Sequence, residues 1–140
     1  MADLADRAVA VVLDDDSLLV VRRHNHGEDY CVLPGGGVEP GEEPGDAVIR
    51  ELREETGLRG VADRHLWTIT HQGRTAHYFL VSVEAGPMTV GGPEALVQSD
   101  QNHYSPEWVS LDRIGTENLQ PEAVRDLLSG LSPPRPRDPS

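Results

Sequence analysis

Glu42, Glu51, Glu54 and Glu55 follow three consecutive glycines, Gly35, Gly36 and Gly37, at fixed distances. The full pattern is Gly36, five residues, Glu42, seven residues, then Arg50-Glu51-Leu52-Arg53-Glu54-Glu55-Thr56-Gly57-Leu58. With glycine or glutamate expected at roughly one position in fifteen, chance produces this arrangement on the order of once in ten million chains of this length. At about 100° per helical residue, Glu55 lies roughly 40° to one side of Glu51 and Glu54 roughly 60° to the other. The three acids therefore share one helix face. Crowded carboxylates repel unless cations hold them, and hard oxygen ligands on a rigid helix suit Mg²⁺ or Mn²⁺, with substrate phosphates supplying further ligands.

That face needs a helix to carry it and a loop to meet it. Pro44 suits the first helical position, Asp46 places a negative charge in the first turn, and Gly57 supplies a left-handed terminator, so the helix is predicted over Pro44 to Thr56. Val48, Leu52 and Ile49 form the stripe to be buried, about a third of a turn from the acids. Before the helix, the triple-glycine segment reads as a tightly folded loop that follows a short apolar strand ending at Leu33-Pro34. The loop leaves the Gly35 carbonyl able to face a metal and delivers Glu42 towards the helix, where Arg50 can clamp a carboxylate.

The segment resembles the Nudix box of the Nudix (MutT-like) hydrolases at every defining position, and the likeness extends more loosely over about residues 7 to 128. It implies an α/β fold, the Nudix-type α/β/α sandwich with a mixed sheet between helices. The implied activity is hydrolysis of a diphosphate bond in a nucleoside diphosphate derivative or nucleoside triphosphate, with water attacking phosphorus. Resemblance and helix geometry together assign Glu51, Glu54 and Glu55 to the metal. Glu51 is read as base or base-orienting group, Glu54 and Glu55 as direct ligands, and Glu42 and the Gly35 carbonyl as completing the site. Arg50 holds the carboxylates in place. The alternative is a Nudix-like domain that binds nucleotides as a sensor without catalysis; a broken box or an attached DNA-binding unit would mark it, and the sequence shows neither.

Composition narrows the partners. The net charge of −12, with twelve arginines scattered along the chain and no lysine, argues against DNA or RNA polymers. An acidic protein binds a pyrophosphate when metal ions reverse the local field, so charge balance and carboxylate helix point to the same cofactor. A small nucleotide-type molecule is the expected substrate, and a homodimer is compatible with the chain. Cys31 is the single cysteine; it lies in the apolar Tyr30-Cys31-Val32-Leu33 run and reads as core. The acidic start, Met1 to Arg7, has no signal-peptide pattern, and no apolar run approaches a membrane span, so a cytoplasmic location without membrane contact is expected.

Residues 1–131 read as a single domain, and 132–140 as a disordered Pro/Arg-rich tail. Ala8 to Leu13 and Leu18 to Arg23 form a hairpin around Asp14 to Ser17, with a polar loop at 24–29. Leu66 to Thr70 and Ala76 to Val83 are strands joined through a turn at His71 to Arg74. Residues 85–106 read as a long irregular segment before a short Trp108-Val109 strand, and a last helix runs from Pro121 to about Leu128.

Substrate contacts outside the box carry weaker signals. Arg22 and Arg23 occupy opposite faces of a strand, so one of them can reach a phosphate while the other meets solvent or an acid. His24 and His26 alternate in a polar loop without further Cys or His ligands, which favours surface over zinc. Tyr30, Phe79, Tyr104 and Trp108 can stack on a base, with Tyr104 the leading candidate because it is placed in the long loop. Glu94 and Asp100 are the loop acids available as an extra ligand or base. The proline that marks the ADP-ribose branch is missing between Pro44 and Pro87, and Asn118 is a loose counterpart of the guanine-reading Asn of the antimutator branch. The substrate is left open.

Overall fold

The chain places two helices on opposite faces of a mixed sheet, because its central strand is apolar on both sides. In this computed structural model the described residues are 5–25, 27–84 and 102–129. The strands are β1 (Arg7–Asp14), β2 (Ser17–Asn25), β3 (Glu28–Val32), β4 (Gly35–Gly37), β5 (Gly60–His71), β6 (Arg74–Val83) and β7 (Asn102–Ser110). The helices are α1 (Pro44–Thr56) and α2 (Glu122–Ser129), with a 3-10 turn at Leu111–Thr116. Successive strand side chains point to opposite faces. Ala8, Ala10 and Val12 accordingly pack with Ala47, Val48 and Leu52 of α1, while Val9 and Val11 pack with Val124 and Leu128 of α2. Small alanines beneath α1 let that helix sit close to the strand.

β1 runs parallel to β6 on one side and antiparallel to β4 on the other. It meets β2 only near their turn, at Leu13–Leu18 and Asp14–Ser17, after which the strands diverge. β2 pairs along its length with β7 and, from Val21 to Asn25, with β3. A cleft opens between the diverging halves.

Helix α1 has the predicted bounds and ends. Pro44 opens it, Asp46 lies in the first turn, and Gly57 takes φ 77° with its N–H bonded to the Arg53 carbonyl. Cys31 is buried; burial pushes its thiol up to about 11, which removes it as a nucleophile at neutral pH.

Four local expectations are corrected. Gly35 to Gly37 are a short strand rather than a loop, since a side chain at Gly35 would strike the Ala8 carbonyl oxygen and approach Val9 Cα to 2.8 Å. Residues 24–29 are largely paired as the ends of β2 and β3, where His24 Nδ1 lies 2.6 Å from Asp29 Oδ1. β7 begins well before Trp108 and contains Pro106 opposite Val21; among the described strands β7 pairs only with β2, and an edge strand tolerates the missing N–H. Tyr104 is thereby in a strand, opposite Arg23, and not in the long loop. Glu94, Asp100, His26 and the 132–140 tail lie outside the described residues. No helix among the described residues is long and apolar enough to cross a membrane.

Candidate active site

The site is assembled where α1 passes the glycine strand. Ala10 N–H bonds the Pro34 carbonyl and Val38 N–H bonds the Asp6 carbonyl, each at 2.8 Å. By antiparallel alternation, the backbone groups of Gly35 and Gly37 between them turn away from β1. Gly35 N–H donates to Glu55 Oε1 at 3.3 Å, and the Gly37 carbonyl accepts from Arg50 Nη2 at 3.0 Å. At Gly36 the missing side chain is occupied space: a Cβ there would stand 2.7 Å from Glu51 Oε1.

Arg50 binds the acids together. Its Nε and Nη2 donate to the two oxygens of Glu42, both at 2.9 Å, and Nη1 donates to Glu51 Oε1 at 2.9 Å and more weakly to Glu54 Oε2 at 3.5 Å. This fork-on-carboxylate geometry is specific to arginine. The Arg50 bonds, with a further bond from Glu39 N–H, draw the Glu42 carboxyl down to about 2, and the Glu42 and Glu51 carboxylates raise the Arg50 guanidinium. Glu51 and Glu42 are largely covered, whereas Glu54 is 38% exposed at the outer edge of the face.

A cleft of about 360 Å³ is lined by Glu51, Glu55 and Gly35 to Gly37 together with Arg7 and Arg23. A second cavity of about 490 Å³ shares Arg7, Arg23, Val32 and Leu33 with it and adds Tyr30, Tyr78, Arg74 and Gln120. Of the two strand arginines, Arg23 faces this space. Arg22 donates instead to Glu107 Oε1 at 2.7 Å and Glu117 Oε2 at 2.8 Å, and these acids hold its charge firmly in place. Tyr30 is the expected aromatic that reaches the cleft, while Phe79 and Trp108 pack against the α1 side of the core. Asn118 is occupied structurally: its Nδ2 donates to the Asp29 carbonyl and its Oδ1 accepts from Gln120.

Sequence reasoning missed Arg7 and Arg74. Arg7 shares the parity of Val9 and Val11, which the strand pattern could have revealed; nothing local marks Arg74, which arrives through the β5–β6 hairpin.

Glu51, Glu54, Glu55, Glu42 and the Gly35 carbonyl offer hard oxygen donors of the kind a small divalent cation takes. Among the described residues no three acidic, histidine or cysteine side chains converge as a ready metal cage; Arg50 instead gathers the carboxylates. The donor set fits such an ion in kind, and substrate phosphate would complete it.

Comparison with known proteins agrees with the architecture. Human diphosphoinositol polyphosphate phosphohydrolase 2 is 42% identical over 60 residues, which are 43% of this chain and 33% of that protein. Human diphosphoinositol polyphosphate phosphohydrolase 3-alpha is 44% identical over 52 residues, 37% of this chain and 31% of its relative. The match thus spans about a third of these curated relatives. Among solved structures, the E. coli ORF135 protein superposes with a TM-score of 0.65 at 23% identity, covering 95% of this chain and 94% of that one. A Nudix hydrolase from Nitrosomonas europaea gives a TM-score of 0.72 at 14% identity, covering 91% and 69%. At such identities the likeness concerns the fold. The NUDIX domain family description matches residues 4–128, nearly the whole chain, and with the glycine strand and carboxylate helix in register this chain belongs to the Nudix family.

Proposed function

We propose that this protein hydrolyses a phosphoanhydride bond in a small diphosphate-containing substrate, using Mg²⁺ or Mn²⁺. The observation that carries this reading is the Arg50 clamp, which holds Glu42 and Glu51 beside the glycine strand, next to a cleft that Glu51 lines together with Arg7 and Arg23. Glu51, Glu54 and Glu55 would hold the ion, with Glu42 and the Gly35 carbonyl supporting it. A bound divalent cation neutralises the diphosphate and lowers the pKa of water. Glu51, more covered than Glu42 or Glu54 and pressed against Gly36, is assigned to accepting or orienting the proton of the attacking water. Arg23 is assigned to substrate phosphate. Nucleoside triphosphates, nucleoside diphosphate derivatives and diphosphoinositol polyphosphates all present the required bond; the last is the class named in the human relatives.

The test is turnover of a panel of these compounds with Mg²⁺ in ¹⁸O-labelled water. Opening of the anhydride with label in a product phosphate is expected. Tight nucleotide binding without turnover of any member would replace this reading with the sensor alternative.

A further inference from the structure

The peptide unit that joins Gly37 to Val38 is held at both ends. Its carbonyl accepts from Arg50 Nη2 at 3.0 Å, while its N–H donates to the Asp6 carbonyl at 2.8 Å. A peptide group is planar, so tilting one end moves the other. Contacts therefore run from Asp6 through one peptide plane to Arg50, and from Arg50 to Glu42 and Glu51. Asp6 lies one residue ahead of β1, where a strand end frays unless something ties it down. Its side chain supplies the tie: Asp6 Oδ2 lies 2.8 Å from His77 Nε2 on β6. The His77 ring is aimed by a second contact, its Nδ1 lying 3.4 Å from Thr68 Oγ1, which in turn lies 2.8 Å from His65 Nε2. His77 stands opposite Ala8 in the β1–β6 register, beside the segment it holds. The preceding carbonyl, of Ala5, accepts from Arg74 Nε at 2.8 Å, so the same short segment also fixes an arginine of the larger cavity. Asp6 and His77 line neither that cavity nor the acidic cleft.

We infer that Asp6 and His77 are positioning residues for the reaction: their contact fixes the Asp6 carbonyl, which holds the Gly37–Val38 peptide in the orientation that seats Arg50 against Glu42 and Glu51. The effect on turnover rests on the anhydride-hydrolysis reading, whereas the effect on Arg50 does not. Hydrogen bonds in series polarise one another, so loss of the Val38 bond weakens the Gly37 carbonyl as an acceptor. Arg50 then keeps its fork on Glu42 but loses the anchor that sets the plane from which Nη1 reaches Glu51. The side chain of Asp6 is half-exposed, so the result is a loosened clamp and not a lost one.

The experiment reads hydrogen exchange by NMR in metal-free protein. In Asp6→Ala and His77→Phe, the Val38 N–H and the Arg50 Nε–H should each exchange at least about threefold faster than in the wild type, while Ala10 N–H, bonded to Pro34 in the same strand pair, is unchanged. Asp6→Asn and His77→Gln keep an oxygen and an N–H at the contact and should restore wild-type exchange. On the best substrate, kcat should fall about threefold to thirtyfold in the first two variants with KM within about twofold, a split that lowered stability alone does not produce. Faster Val38 exchange with Arg50 unchanged, or Asp6→Asn as perturbed as Asp6→Ala, overturns the inference, and so does a wild-type kcat in Asp6→Ala. Should His77→Phe fail to fold, Asp6→Ala at its half-exposed position decides alone. A protein that hydrolyses nothing can still show the coupled exchange, and an active hydrolase can lack it.

Discussion

Gly36 and Glu51 occupy each other's space: the Glu51 carboxyl fills the position a side chain at Gly36 would need, with Oε1 only 2.7 Å from an added Cβ. The glycine is therefore part of the acid's positioning, independent of any turn. Gly36→Ala must either push the carboxylate off the strand or shift β4 from β1. Overpacking of this kind costs about 1 to 3 kcal/mol, and displacing the group assigned to the water's proton should lower kcat by about 100-fold or more. Melting temperature and kcat, measured together, check this. A variant with wild-type turnover would remove Glu51 from its assigned role.

The helix acids should separate cleanly from their neighbours. Glu51→Gln, Glu54→Gln and Glu55→Gln are each expected to reduce kcat by about 10²- to 10⁴-fold with the fold intact. Glu43→Gln, at the helix N-cap without a side-chain cap bond, should change kcat by no more than about threefold. Equal damage from Glu43→Gln and Glu54→Gln would refute the facial assignment.

Acid stability carries the signature of the Arg50 clamp. Glu42 has its carboxyl pKa lowered from 4.5 to about 2 by Arg50 and the Glu39 N–H. A depressed folded-state pKa gives stability that is present above pH 4.5 and disappears as pH falls towards 2. The melting temperature of the wild type should therefore exceed that of Glu42→Gln at pH 6, and the gap should narrow over this window. A gap that widens on acidification contradicts the sign of the linkage.

Arg22 and Arg23 provide a matched pair on one strand. Arg22→Gln removes the bonds to Glu107 and Glu117 and is expected to lower the melting temperature by a few degrees, on the order of 1 kcal/mol at this half-exposed site, with little change in KM. Arg23→Gln should raise KM several-fold. Thermal melts and steady-state kinetics on both variants check the split; a KM effect confined to Arg22→Gln would reverse the assignment.

These residues also mark how far the sequence could be read. Helix α1 was legible because its start, stop, buried stripe and acidic face are all written locally, in Pro44, Gly57, Leu52 and Glu51. The Arg50 clamp followed from the same segment. Strand alternation anticipated that at most one of Arg22 and Arg23 would reach a phosphate while its neighbour met solvent or an acid, but which one does so depends on the register with β7, a long-range property. The glycines were read as a loop because three residues without side chains carry no strand pattern; their pairing is imposed by close approach to Ala8 and Val9. Pro106 hid most of β7 for a similar reason, since a proline argues against a strand until the strand is known to be an edge. Arg74 reaches the cleft only through the β5–β6 hairpin, and no local pattern encodes that.

The central claim is that the carboxylate face of α1 works through a divalent cation, and turnover as a function of metal tests it most directly. Protein stripped with EDTA and shown metal-free by elemental analysis is assayed for phosphate release on its best substrate, then titrated with Mg²⁺ or Mn²⁺. The stripped protein should be inactive, the cation should restore turnover saturably, and Glu55→Gln should need more cation to reach half of its own maximum. Undiminished phosphate release from the metal-free protein in excess EDTA would contradict the account.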